Sequence, residues 1–118
     1  MKKFISVMLV AAMAVTALTG CGSNSGSSSK KDADKYYIGG IGPTTGATAI
    51  YGTAVKNGAQ IAVDEINAAG GINGKQIEYR FEDDQNDAEK AVNAYNTLKD
   101  WGMQMLVGTT TTAPCIAV

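Results

Sequence analysis

The sequence predicts an α/β fold built on a parallel sheet with helices on both faces. Three observations carry the prediction. Apolar stretches of strand character alternate with stretches of helical period from Tyr36 to Val118. Turn residues (Gly, Asn, Pro and Asp) fall between them. The resulting order is strand, helix, strand, helix, strand, helix, which calls for right-handed crossovers between parallel strands.

Tyr36 to Ile41 (YYIGGI) is apolar with little alternation, as a strand covered on both faces should be. Gly42-Pro43-Thr44-Thr45-Gly46 has turn chemistry. A helix is expected from about Ala49 to Ala69, where Ile50, Ala54, Gly58, Ala62 and Ile66 recur every four residues with Val55, Ala59 and Val63 beside them. Small side chains along that stripe would let the helix approach a sheet closely, with Lys56, Gln60, Asp64 and Glu65 mainly on the far side. Gly70-Gly71 would close it, and Asn73-Gly74 would make a tight turn.

Gln76 to Glu82 alternates, with Ile77, Tyr79 and Phe81 against Glu78, Arg80 and Glu82, which predicts a half-exposed edge strand. After the loop Asp83-Asp84-Gln85-Asn86, the spacing of Asn86 and Glu89 is that of a capping box. It would open a helix from about Asp87 to Lys99, closed by Trp101-Gly102, with Ala88, Ala91, Val92, Tyr95 and Leu98 as its apolar face. Met103 to Val107 (MQMLV) reads as the third strand. Pro114 then suits the first turn of a third helix. On such sheets ligands sit beyond the carboxyl ends of the strands. Two hydroxyl-rich loops fall at that end, Thr44 to Tyr51 and Thr109 to Thr112.

Composition removes several function classes. Net charge is −1 and no basic run exceeds Lys30-Lys31, which argues against a nucleic-acid partner. Without histidine, Ser-His-Asp and Cys-His catalysis and most zinc sites lose their commonest member. No catalytic constellation can be assembled, so the chain is expected to be a binding module and not an enzyme, with no cofactor. The cluster Glu82-Asp83-Asp84 with Asp87 offers oxygen ligands to Mg²⁺ or Ca²⁺, but a strand end and a helix cap already explain these residues, and no metal is expected. Gly40, Gly42 and Gly46 have the wrong spacing for a dinucleotide fingerprint.

At the amino end, Lys2 and Lys3 precede an uncharged apolar run from Phe4 to Leu18, too short to span a bilayer core as a permanent helix. Leu18-Thr19-Gly20-Cys21 resembles the lipobox of bacterial lipoproteins. That resemblance implies a signal peptide over residues 1–20, cleavage before Cys21, and lipid on Cys21. An ordinary signal peptide with an incidental cysteine is the alternative. Residues 21–35 would then be the lipidated cysteine and a Ser-rich tether, and residues 36–118 the folded part. The protein is expected to be exported and held on the outer face of the bacterial cytoplasmic membrane. With Cys21 lipidated, Cys115 is the only thiol, read as a buried small apolar residue.

From Ile41 the run GPTTGATAIYGTAVKNGAQIAVDEINAAGGINGKQIEYRFEDDQNDAEKAVNAYN closely resembles the leucine/isoleucine/valine-type substrate-binding proteins of ABC transporters. The likeness rests on the order and spacing of a G-P-x-T-G loop, a Tyr-Gly pair, an E-I-N-A-x-G-G-I-N-G helix end, an acidic strand end and an A-V-N-A helix. It implies two α/β lobes that close on an amino acid or related small molecule and deliver it to ABC permease subunits. Tyr51 stands where that family places a tyrosine at the cleft edge, and Thr112 where it has a hydroxyl residue to receive the ligand carboxylate. Thr110 and Thr111 would form the pocket wall, mostly through backbone. The alternatives are a packed core aromatic for Tyr51 and a helix cap without ligand for Thr112.

The chain stops at Val118, with no second lobe or hinge, so an amino-terminal fragment holding a partial first lobe is expected, binding weakly or not at all alone. A sensor domain of the same fold in a signalling receptor is the rival assignment, and an exported enzyme on a similar scaffold a more distant one.

Overall fold

The computed structural model describes residues 34–118. The expected signal peptide, the lipid site at Cys21 and all but the last two residues of the expected tether lie outside the described residues. Among the described residues three strands and three helices alternate: β1 (Lys35–Gly42), α1 (Ala49–Ala68), β2 (Gln76–Asp83), α2 (Ala88–Trp101), β3 (Met105–Thr109) and α3 (Thr112–Ala117). The strands form one parallel sheet in the order β2-β1-β3. Helices flank it, as the alternation predicts.

β1 is central, which explains its unalternating apolar run: from Gly39 to Gly42 every residue is buried. On one face Ile41 packs with Ala91, Ala94 and Leu98 of α2, and Tyr95, Trp101, Met103 and Leu106 complete the cluster. Burying Leu98 completely contributes about 2–3 kcal/mol. Tyr37 extends this core through an edge-to-face contact with Trp101, ring centroids 5.2 Å apart. β2 is an edge strand, as its alternation predicts, paired with β1 from Lys35↔Gln76 to Gly42↔Asp83. Ile77 is buried while Arg80 is exposed. Asn67 of α1 fastens that helix to the start of β2, donating to the Ile77 carbonyl and accepting from its N–H at 2.8 and 2.7 Å.

Both long helices close as their glycines predict. Gly70 and Gly71 have positive φ and donate to the Asn67 and Ile66 carbonyls, the two bonds of a Schellman closure. The same pair of bonds ends α2 at Gly102 and Met103.

Four local expectations are corrected. The side of α1 that meets the sheet carries Gly52 and Val63, whereas Ile50 is 73% exposed and Ala54, Gly58 and Ala62 face outward. Apolar residues surround more than half of this helix, so the four-residue stripe did not single out the contact face. The cap of α2 is Asp87, whose carboxylate accepts from Lys90 N at 2.9 Å, in place of the Asn86–Glu89 box. Asn86 is held at φ 60° in the preceding turn, where Asp84 accepts its N–H, and cannot take the extended backbone of a cap. β3 begins at Met105, because the closure of α2 uses Gly102 and Met103. Cys115 is exposed; Pro114 is the buried residue of α3.

Candidate functional site

The carboxyl ends of the strands present three loops: residues 43–48 after β1, residues 84–87 after β2 and residues 110–111 after β3. The first turns back sharply on α1. Pro43 is fully buried, and a Cβ on Gly52 would lie 1.9 Å from the Pro43 carbonyl oxygen, so only glycine permits this approach. Next to Gly52, Tyr51 is 62% exposed and is not a packed core aromatic. Thr48 precedes α1 but gives it no side-chain cap bond.

Asp83, the last residue of β2, ties this loop down. Its Oδ1 accepts from Thr44 N at 2.8 Å and Gln85 N at 3.0 Å, and its Oδ2 accepts from the Thr45 hydroxyl at 2.5 Å. Partial burial pushes the Asp83 carboxyl up, but the hydrogen bonds from Thr45, Thr44 and Gln85 outweigh it and hold the group below the usual carboxylate range. Asp84 is the opposite case. It is fully buried, its Oδ1 accepts from Asn86 N at 2.8 Å, and its Oδ2 has no partner. Burial raises its pKa, the Asn86 bond opposes this, and the neighbouring Asp83 charge adds to the rise.

The threonine run divides into different roles. Thr109 ends β3, paired with Ile41 across a register shift. Thr110 spends its N–H and its hydroxyl on the Ile41 carbonyl, at 3.2 and 3.3 Å, so it joins β3 to β1. Thr111 is the N-cap of α3, with extended backbone, and its hydroxyl bonds nothing in the helix. Thr112 is the first helical residue and is exposed. The Thr109 and Thr111 hydroxyls are buried without a partner, so this edge holds polar capacity that the fold leaves unused.

Tyr51, in the first turn of α1, and the threonines from the end of β3 to the start of α3 therefore follow adjacent strands, which Thr110 joins through Ile41. Sequence reasoning missed the Asp83 clamp. An acid ending an edge strand and a Thr-Thr pair after the neighbouring strand were its only signals, and 39 residues separate Asp83 from Thr44.

Comparison with known proteins identifies the family of this fold. The model of the periplasmic binding protein family matches residues 35–118. The Leu/Ile/Val-binding protein BraC3 of Rhizobium johnstonii is 44% identical over 81 residues, covering 69% of this chain and 22% of its own length. A leucine-, isoleucine-, valine-, threonine- and alanine-binding protein of Pseudomonas aeruginosa is 41% identical over 76 residues, 64% of this chain and 20% of its own. Among solved structures, the branched-chain amino acid transporter substrate-binding protein LivJ of Streptococcus pneumoniae, crystallised with isoleucine, superposes with a TM-score of 0.67. It is 40% identical and covers 70% of this chain, which spans 24% of it. The chain thus spans roughly a fifth to a quarter of the relatives it matches. With the whole described fold matched in sequence and in structure, the chain belongs to the periplasmic binding protein family.

Proposed function

We propose that this chain is first-lobe sequence of a solute-binding protein that captures branched-chain amino acids for an ABC transporter. The observation that carries the proposal is the family match over residues 35–118; the fold supports it by setting Tyr51 in the first turn of α1 and the threonine run after β3, beyond the carboxyl ends of neighbouring strands. In this reading the Tyr51 ring covers the apolar side of the ligand. Thr112, with the N–H groups and hydroxyl around Thr111, receives its carboxylate; Thr110 builds the wall. The protein carries out no chemistry of its own and hands its ligand to permease subunits. Export by residues 1–20 and lipid on Cys21 would keep it at the outer face of the cytoplasmic membrane, in reach of that permease.

One lobe alone is expected to bind weakly. Three charge-assisted hydrogen bonds to the carboxylate supply about 5–9 kcal/mol in all. Immobilising the ligand costs about 4–15 kcal/mol, so little remains without a second lobe to bury the side chain. Calorimetry with leucine, isoleucine and valine should show dissociation constants of about 1 mM or weaker. Amide spectra at saturating leucine should nevertheless shift at Thr111 and Thr112. Micromolar binding by this chain would overturn the weakness, and no shift at either threonine would overturn the site.

A further inference from the structure

We infer that Asp83 is a positioning residue for the ligand rim, setting the entry of α1 and so the place of Tyr51. The inference rests on the reading of Tyr51 as a ligand-facing residue. Asp83 acts through the 43–48 loop, where its carboxylate accepts from Thr44 and Thr45.

Three features lead to it. The loop reaches α1 without a side-chain cap from Thr48, and backbone bonds of 3.3 Å from Ala49 N to Gly46 O and 3.1 Å from Tyr51 N to Thr48 O hold the entry. The Asp83 carboxylate binds the loop at two successive residues, Thr44 through N–H and Thr45 through hydroxyl. The oxygen that holds Thr44 also accepts from Gln85, where the chain turns at φ 52° into the loop before α2. One carboxylate thus locks the loops after β1 and β2 to each other, level with the last pair of the ladder, Gly42↔Asp83. Pro43 pressed on Gly52 fixes the inner side of the α1 entry, and Asp83 fixes the outer approach to it. Tyr51 lies between these two restraints in the chain. A carboxylate suits this work because it accepts three bonds without needing a donor role, and a charged acceptor makes the stronger bonds.

The test measures amide hydrogen exchange in the full chain, held in detergent micelles for the sake of its apolar amino end. Asp83→Ala should speed exchange of the Ala49 and Tyr51 amides about tenfold, and that of Leu98 of α2 clearly less, by no more than the loss of overall stability. Thr45→Val removes one bond and leaves the Gln85 bond in place, so about a threefold effect at Tyr51 is expected. Asp83→Asn keeps an acceptor for Thr44 and Gln85 and should restore most of the protection. If Asp83→Ala does not fold, Thr45→Val decides the matter. An unchanged Tyr51 amide in the variants overturns the inference. So does an equal acceleration at Tyr51 and Leu98, which would show that Asp83 serves overall stability only. Leucine-induced shifts at the wild-type Tyr51 are a separate readout: their absence defeats the ligand reading without touching the exchange result.

Discussion

At the amino ends of the strands, Tyr36, Tyr37, Ile38, Ile72, Gln104 and Met105 line an open cavity of about 340 Å³. At the carboxyl ends, Asp83, Thr44 and Thr45 are hydrogen-bonded into a clamp, while Asp84 and the Thr109 and Thr111 hydroxyls keep buried oxygens without partners. The first region has volume and apolar walls, and the oxygen of Gln104, its lining amide, is already taken by Tyr37 N at 3.0 Å. The second has buried oxygens without partners at the ends of both outer strands, Asp84 after β2 and Thr109 and Thr111 at β3. An amino acid is a zwitterion, and burying its charges without partners would cost far more than an apolar cavity returns. On the proposed function, polar capacity more than space marks the carboxyl edge for such a ligand.

The sharpest way to break this contrast is Gly52→Ala. The added Cβ would meet the Pro43 backbone at 1.9 Å to its oxygen and 2.5 Å to its carbonyl carbon, and neither atom is the end of a flexible side chain. A loss of about 3 kcal/mol is expected from the forced backbone shift, read from the urea midpoint. The damage should concentrate at the carboxyl edge, with amide shifts at Thr44, Thr45 and Tyr51 larger than those at Tyr36 or Ile38. A stability change below about 0.5 kcal/mol would show that the Pro43–Gly52 contact is not a close restraint.

Next in size is the pH response of the paired acids. Asp83 is held below the ordinary carboxylate range, so its contribution is fully present above about pH 4 and is lost as pH falls through its lower folded value. Asp84 is raised by burial, so its ionisation works against the folded state. Stability linked to it grows as pH falls through its raised folded value toward about pH 4. Urea titrations of Asp83→Asn and Asp84→Asn between neutral and acid pH should therefore diverge. The Asp83 variant should lose most relative to the wild type at neutral pH and least in acid, and the Asp84 variant the reverse. Parallel curves would mean that the two carboxylates share one environment.

What the sequence disclosed depended on how local the cause was. The Asn73-Gly74 turn appears as predicted, with Asn73 and Gly74 at positive φ and Ile72 bridged to Lys75, because the conformation is decided within four residues. The burial of β1 and the edge position of β2 were readable from alternation or its absence. The face of α1 was not, since too many of its residues are apolar for periodicity to choose among them. Asn86 and Asp87 are both good caps, and the choice between them is made by Asp84, which turns the backbone at Asn86. Around the candidate site, the helix start at Thr112 was readable from the proline two residues on, and Tyr51 is exposed in the first turn of α1. The commitment of Thr110 to Ile41 and the clamp on Thr44 are contacts between distant strands, and no spacing along the chain encodes them.

The smallest expected effect is at the amino-edge cavity, and it tests the contrast from the other side. Met105 begins β3, lines that cavity and is 62% exposed. Its side chain already meets water, so Met105→Ser gives up little apolar burial, and stability should move by no more than about 0.5 kcal/mol. Serine would also add a hydroxyl to a cavity short of polar groups, improving it modestly for a polar guest. If the carboxyl edge alone receives the amino acid, this gain is irrelevant, and leucine should shift the Thr111 and Thr112 amides as in the wild type. Leucine-induced shifts that move to Tyr36 and Ile38, or that vanish at the threonines in this variant, would place the ligand at the wrong end of the sheet. They would show that cavity volume outweighs polar convergence in this lobe.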